Sequence, residues 1–140
     1  MEGQATIHIN ATPEAVYALV ADVTRMGEWS PETTECVWLD GATGPAVGAK
    51  FKGSNKLGPM KWSTSPTVIA ADAGKTFAFD AGATEWRYTF TADNGGTSVT
   101  ESFRVTSNVT KLYSKIARRE AMLIRGMQQT LTRIKAAAEG

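Results

Sequence analysis

A single long helical pattern ends the chain, from about Val109 to Ala138, and it limits the folds open to the residues before it. Its apolar residues recur at the spacing of one helix face. They are Leu112, Tyr113, Ile116, Leu123, Ile124, Met127, Leu131 and Ile134. Basic side chains fall on the far side, at Lys111, Lys115, Arg118, Arg125 and Arg133. The apolar face therefore has to be buried against another layer of the same chain.

Residues 32–106 supply that layer, because their apolar residues alternate with polar ones in short runs. Such alternation is typical of a half-buried strand. Glycine-containing breaks separate the runs, at Gly41, Gly44-Pro45, Gly58-Pro59, Gly74, Gly82 and Asn94-Gly95-Gly96. The segment from Glu32 to Thr106 is therefore predicted to form about six antiparallel strands.

The Asn94-Gly95 dipeptide sets the pairing of the last two predicted strands. Both residues tolerate the positive φ of a type I′ turn, which joins two strands through a two-residue loop. Counting back from that loop gives three facing pairs, Phe90 with Val99, Tyr88 with Glu101 and Trp86 with Phe103. The aromatic face of one strand then meets the apolar face of the next, so the register agrees with the hydrophobic pattern.

The N-terminal residues predict one further strand and two short helices. Ile7 and Ile9 alternate with polar residues, as in a half-buried strand. Thr12-Pro13-Glu14 has the residue types of a helix N-terminus. A second short turn is predicted over Thr24 to Glu28, and Pro31 ends it. The order of strand, short helices, strands and one long helix indicates a single α+β domain over residues 1–140.

Composition excludes several classes of protein and site. The 140 residues carry a net charge of +1, too neutral for bulk charge to indicate a nucleic-acid-binding protein. One cysteine, Cys36, excludes an internal disulfide, and with one histidine, His8, it cannot build a zinc site. We predict neither a metal nor a cofactor. Membrane-span and export-signal patterns are missing, so we expect a cytoplasmic monomer or homodimer.

Several short motifs follow one another along the whole chain. They are Glu28-Trp29-Ser30-Pro31-Glu32, Trp38-Leu39-Asp40-Gly41, Gly44-Pro45-x-x-Gly48 leading into Phe51, Thr97-x-Val99-Thr100-Glu101-Ser102 and Gly126-Met127-x-x-Thr130-Leu131. In this order and spacing, the sequence resembles the polyketide cyclase/dehydrase-like branch of the START-like (SRPBCC) superfamily.

The resemblance implies a helix-grip fold, in which a curved antiparallel sheet of about seven strands wraps around the C-terminal helix. Such proteins commonly keep an apolar cavity between sheet and helix. The resemblance therefore implies binding or carriage of a hydrophobic small molecule, lipid-like or polyketide-like. Some members catalyse cyclisation or dehydration in the cavity, so a cyclase, aromatase or dehydratase is the alternative, and the fold does not decide between them.

Alternating aromatic side chains are candidates for the wall of such a cavity. Each strand can turn them toward one concave face, where they either fill a core or surround an apolar ligand. The predicted apolar part of the ligand site consists of Trp62, Phe77, Phe79, Trp86, Tyr88, Phe90, Phe103, Leu123 and Met127.

Two glutamates interrupt these apolar faces, Glu101 on its strand and Glu120 within the helix stripe. An unpaired buried carboxylate would cost several kcal/mol or take up a proton, so each needs a partner. In the structural interpretation, Tyr88 donates to Glu101, and Arg119 or a neighbouring basic residue neutralises Glu120. Alternatively, the two acids form the polar end of the ligand site and orient a hydroxyl or carbonyl. In a third interpretation, one of them is a general acid or base assisted by Tyr88.

The C-terminal helix also carries an excess of positive charge. From Val109 onward, seven basic and two acidic residues give a net charge of +5. A solvated outer face accounts for this charge, and a protein or anionic lipid partner of Arg118 and Arg125 is the alternative. The sequence leaves open the ligand, turnover, the oligomeric state and the phase of the strand near Cys36 and Trp38.

Overall fold

The computed structural model describes residues 1–105 and 113–140, and for residues 113–117 it describes the backbone only. Eight antiparallel strands and one long helix dominate these described residues. The strands are β1 (Glu2–Ile9), β2 (Thr33–Trp38), β3 (Phe51–Leu57), β4 (Met60–Thr64), β5 (Thr67–Asp72), β6 (Thr76–Asp80), β7 (Thr84–Asp93) and β8 (Gly96–Val105). The helices are α1 (Pro13–Ala21), α2 (Met26–Trp29) and α3 (Tyr113–Glu139), with a 3-10 turn at Val23–Arg25. The predicted α+β class is confirmed, and the segment predicted as about six strands holds seven.

The strands form one curved surface from two sheets. The larger sheet has the order β1-β8-β7-β6-β5, and the smaller has the order β2-β3-β4. Three backbone hydrogen bonds join the segment leading into β3 to the start of β5: Gly48 N donates to Val68 O (2.8 Å), Val68 N donates to Ala49 O (2.8 Å), and Phe51 N donates to Pro66 O (3.1 Å). The surface curves around α3, which is the predicted helix-grip arrangement.

The β7–β8 hairpin has the predicted register. Asp93 pairs with Gly96, and the three facing pairs counted from the turn are all present. Asn94 and Gly95 have φ values of 48° and 79°, as a type I′ turn requires. The turn chemistry and the hydrophobic pattern therefore specify the same pairing.

Helix α1 closes one end of the curved surface. The side chain of Thr12 accepts a hydrogen bond from Ala15 N (3.2 Å), which satisfies one of the free N–H groups at the helix start. On the inner face of α1, the Tyr17 ring lies edge-on to Phe77 and Phe90, with centroid distances of 6.4 and 5.7 Å. This end of the sheet is consequently packed solid.

Helix α3 crosses the concave side and packs most tightly at its C-terminal half. Met127, Leu131 and Ile134 are at most 2% exposed. Gly3 on β1 allows the close approach, because a Cβ there would lie 2.9 Å from Cγ1 of Ile124. No helix in the described part of the chain has the length and apolarity needed to cross a bilayer.

Part of the predicted C-terminal helix cannot be compared with the structure. Residues 109–112, which include Lys111 and Leu112, lie outside the described residues, as do the side chains of Tyr113, Lys115 and Ile116. Among the other predicted outer-face residues, Arg118, Arg125 and Arg133 are exposed.

The phase of β2 is resolved. Cys36 is 3% exposed and faces the interior, whereas Val37 is 43% exposed. Trp38 shares the inner face with Cys36 and packs edge-on against Phe51, with a centroid distance of 5.8 Å.

Phe77→Ala should test whether the α1 end of the sheet is close-packed. Phe77 is fully buried between Tyr17 and Phe79, so its truncation leaves a void. We expect the free energy of unfolding to fall by about 3–5 kcal/mol, measured by urea denaturation. Met60→Ala, at a 60% exposed position, should change it by less than about 0.5 kcal/mol. A loss below about 1 kcal/mol for Phe77→Ala would contradict a solid core here.

Candidate functional site

A cavity of about 270 Å³ lies between the concave sheet surface and the middle of α3. Large apolar side chains form much of its wall, namely Met26, Phe51, Trp62, Phe79, Trp86, Leu123 and Met127. Hydroxyl and amide groups interrupt them at Ser30, Thr33, Asn55, Thr64, Thr84 and Thr130. An apolar pocket with a few polar groups is typical of small-molecule sites.

The cavity ends where α1 begins to cover the sheet. Along β7, the inward side chains Trp86 and Tyr88 line the cavity. The next inward residue, Phe90, packs against Tyr17 of α1 instead. The concave surface is therefore solid under α1 and hollow under the middle of α3.

The structure divides the predicted ligand-site residues between these two regions. The cavity wall includes Trp62, Phe79, Trp86, Tyr88, Glu101, Leu123 and Met127. Phe77, Phe90 and Phe103 lie in the packed core and are outside the wall. Phe77 and Phe90 are covered by α1, and the Phe103 ring packs on Trp86 with a centroid distance of 5.5 Å. The alternation of residues along a strand predicts that a side chain lies on the concave face. It does not predict whether a helix packs on that side chain or the cavity lies beside it.

Glu101 and Tyr88 form a buried hydrogen-bonded pair in the cavity wall. The two residues face each other across β8 and β7, and each is 5% exposed. The Tyr88 hydroxyl donates to Oε2 of Glu101 at 2.9 Å. Oε1 of Glu101 is buried and has no hydrogen-bond partner among the residues that the structure describes. Ala5, the neighbour of Glu101 on β1, offers no polar side chain.

Burial determines the protonation state of this pair. Removal from water disfavours a charged carboxylate and raises the pKa of Glu101 to about 8, although the hydrogen bond from Tyr88 lowers it in part. The pKa of Tyr88 is raised well above its usual value, first by burial and then by the Glu101 charge. Burial therefore favours the protonated, uncharged form of the Glu101 carboxyl.

A second polar pair in the wall links α3 to the segment before β2. The Arg119 guanidinium binds the Glu32 carboxylate through two hydrogen bonds, of 2.7 and 2.8 Å. The Arg119 and Glu32 side chains are 33% and 18% exposed, so the pair lies nearer to solvent than Glu101 does. The hydrogen bond and the charge of Glu32 raise the pKa of Arg119, and the pair is ionic.

The structure places Glu120 outside the candidate site. Glu120 is half-buried, is not part of the cavity wall, and does not receive the Arg119 guanidinium. The cavity face of α3 passes through Arg119, Leu123 and Gly126, and Glu120 lies about 100° away from Arg119 around the helix. The acid that completes the site beside Arg119 is Glu32.

The small sheet contributes wall residues that the sequence did not predict. Thr33 Oγ1 donates to Oδ1 of Asn55 at 2.9 Å, and both residues line the cavity. A register shift between Thr33 and Glu35 changes which β2 residues face inward. Local alternation does not show such a shift, and no other signal in the sequence marks these positions.

Cys36 lines the cavity without the properties of a nucleophile. Burial, followed by the charge of Glu35, raises the pKa of the Cys36 thiol to about 11. The thiolate is the reactive form of cysteine, so the side chain acts as a small apolar wall residue at neutral pH.

Comparisons with known proteins place this geometry in a family. A family model described as polyketide cyclase/dehydrase and lipid transport matches residues 2–139. The solution structure of the Polyketide_cyc-like protein Cgl2372 from Corynebacterium glutamicum is similar, with 34% identity, a TM-score of 0.69, and coverage of 96% of this chain and 88% of that one. No curated protein sequence matches the chain.

Two more distant structures share the fold. A START superfamily protein from Mycobacterium smegmatis has 12% identity and a TM-score of 0.77, over 99% of this chain and 97% of that one. The di-domain ARO/CYC protein StfQ from the steffimycin biosynthetic pathway has 12% identity and a TM-score of 0.78, over 99% of this chain and 50% of that one. These two similarities show the fold alone, whereas the family match over residues 2–139 supports a ligand-binding or polyketide-processing role.

Glu101→Gln should remove a pH dependence from the stability of the protein. The pKa of Glu101 is about 8 in the folded protein and has the ordinary value of 4.5 in the unfolded chain. The protonated carboxyl therefore stabilises the folded state fully below about pH 4.5, and this stabilisation is lost as the pH rises through 8. Glutamine does not ionise. From about pH 5 to 9, the variant should therefore gain stability relative to the unmodified protein, on the order of a few kcal/mol in urea unfolding.

The control for this comparison is Glu35→Gln, at an exposed carboxyl that lies outside the cavity wall. It should follow the pH profile of the unmodified protein. Parallel profiles for Glu101→Gln and the unmodified protein would show that Glu101 is ionised in the folded state.

Proposed function

The chain belongs to the polyketide cyclase/dehydrase and lipid transport family, and we propose that its cavity binds a hydrophobic small molecule, lipid-like or polyketide-like, which the protein holds or carries. The observation that carries the proposal is the buried carboxyl group of Glu101 in the cavity wall, with Oε1 unpartnered among the described residues. A polar atom left in this state costs free energy, which a bound ligand can recover by forming the missing hydrogen bond.

The wall supports an apolar ligand with few oxygen functions. Tryptophan and phenylalanine rings offer large contact areas without directional demands. The Tyr88–Glu101 pair offers one fixed polar contact among them. A ligand that matches both features has an apolar body and one oxygen-bearing group.

The volume of the cavity restricts the size of that ligand. About 270 Å³ lies just below the range of about 300–1,000 Å³ found for small-molecule pockets. A molecule with two fused rings fits this size better than a diacyl lipid does. We therefore assign the deep part of the cavity to a small ring system or to one end of a longer chain.

Gly53→Leu should block the cavity and abolish binding of the neutral fluorescent probe N-phenyl-1-naphthylamine. Gly53 lines the cavity, and a Cβ there would make ordinary contacts with Thr64 Oγ1 (3.5 Å) and Cys36 Sγ (3.6 Å). The strand therefore accepts a side chain, whose remaining carbons fill the hollow. We expect the unmodified protein to bind the probe with enhanced fluorescence and the variant to lose at least about tenfold in affinity.

Ser63→Leu is the matched control, because Ser63 is exposed on the neighbouring strand and lies outside the cavity wall. It should bind the probe as the unmodified protein does. Thermal unfolding of both variants shows that they remain folded. If the folded Gly53→Leu protein binds the probe with undiminished affinity, the ligand site lies elsewhere.

A second candidate function is catalysis of cyclisation or dehydration on a similar molecule. The specific observation in its favour is a carboxyl with a pKa raised to about 8, hydrogen-bonded to a tyrosine inside the cavity. A protonated carboxyl near neutral pH can donate a proton to a carbonyl oxygen, and its conjugate base can remove one from an adjacent carbon.

Hydrogen–deuterium exchange at the methyl group of 2-acetonaphthone distinguishes the two functions. A general acid or base at Glu101 should accelerate this exchange in D₂O, as followed by proton NMR, and Glu101→Gln should abolish the acceleration. A carrier should bind the ketone and leave its exchange rate at the buffer value. Acceleration that survives in Glu101→Gln would rule out Glu101 as the catalytic group.

A further inference from the structure

We infer that the cavity selects molecules that present an uncharged hydrogen-bond-accepting oxygen, such as a ketone carbonyl, to the Tyr88–Glu101 pair, and that it rejects carboxylates at this position. The inference deepens the proposed function and rests on it. It specifies which polar group the ligand carries, because the apolar wall alone does not determine that group.

The number of protons in the pair requires an acceptor from outside. With the carboxyl protonated, Tyr88 and Glu101 together carry two O–H groups, and one hydrogen bond joins them. When Tyr88 donates to Oε2, the carboxyl proton resides on Oε1, which has no partner in the part of the chain that the structure describes. If the carboxyl donates to Tyr88 instead, the phenol O–H is left over. In either arrangement one donor remains for a ligand oxygen.

The described side chains offer an anionic group no free counter-charge at this position. Burial raises the pKa of the Glu101 carboxyl, because the surroundings do not stabilise a negative charge. Among the described wall residues the side-chain cation is Arg119, and Glu32 already binds it through two hydrogen bonds. A ligand carboxylate next to Glu101 would therefore be buried without a partner, which is costly.

The same geometry makes ligand affinity depend on pH. The ionisable groups of the described wall are Tyr88 on β7, Cys36 on β2, Arg119 on α3, Glu32 before β2 and Met1 before β1, besides Glu101 itself. Ala5, beside Glu101 on β1, adds no charge. When Glu101 ionises, the free donor is lost and a carbonyl oxygen meets a carboxylate. Binding of a ketone should weaken as pH rises through about 8.

Three naphthalenes of similar shape test the inference by competition with N-phenyl-1-naphthylamine. They are 2-acetonaphthone, with a neutral acceptor, 2-naphthoate, with a carboxylate, and 2-ethylnaphthalene, with no acceptor. At about pH 6.5 we expect the ketone to bind about tenfold more tightly than the hydrocarbon, and the carboxylate to bind more weakly than both. Between about pH 6 and 9.5, ketone affinity should fall about tenfold while hydrocarbon affinity stays constant.

Two variants identify the group responsible. Glu101→Gln retains a donor in its amide N–H₂ and cannot ionise, so it should bind the ketone with a flat pH profile. Tyr88→Phe removes the hydrogen bond that lowers the Glu101 pKa, so it should move the loss of ketone affinity to higher pH. A pH dependence that originates in another group, the amino group of Met1 included, would survive in Glu101→Gln and overturn the assignment.

The outcomes separate this inference from the proposed function. The inference would be overturned if the ketone and the hydrocarbon bound with equal affinity. It would also be overturned if 2-naphthoate bound more tightly by displacing Glu32 from Arg119. Either result would leave a hydrophobic site in place. If neither the probe nor any of the three naphthalenes binds, the proposed function itself fails.

Discussion

The pairing of β7 with β8 holds together both the packed core and the candidate site. It places Phe90 opposite Val99 in the core and Tyr88 opposite Glu101 in the cavity wall. A slip of one residue would turn both pairs to the outer face and leave α1 and α3 without an apolar surface to cover. The Asn94-Gly95 turn prevents the slip, because a two-residue loop with positive φ at both positions is compatible with one register.

Much of the fold was predictable from local signals. The cap of α1 at Thr12, the β7–β8 hairpin and the apolar stripe of α3 all appear in short stretches of sequence. The way in which two sheets join into one surface was not predictable from such stretches. It depends on hydrogen bonds between residues 48–51 and 66–68 and on a register shift in β2. Neither feature has a signature in local alternation.

The candidate site was predictable only where strand pairing alone determines a contact. Tyr88 and Glu101 are neighbours because of the hairpin register, so their hydrogen bond followed from the turn. The Glu32–Arg119 pair joins residues 87 positions apart, and it depends on where α3 crosses the sheet. At that crossing Ile124 packs close to Gly3, a contact that helical periodicity does not predict. Helical periodicity likewise does not show that Glu120 lies outside the cavity wall.

The hollow and solid regions of the concave surface share some side chains, since Phe51, Phe79 and Met127 are buried in the core and also line the cavity. Phe77 and Phe90 are buried beneath α1, and Leu131 and Ile134 are buried in the C-terminal half of α3. None of these four residues lines the cavity. Trp62 and Thr84, by contrast, line the cavity, are half-buried and do not belong to the core cluster. Substitutions at such half-buried wall positions should therefore change ligand selectivity at a smaller cost in folding free energy than substitutions at the shared positions. Related chains could come to bind different molecules through changes at those few wall positions.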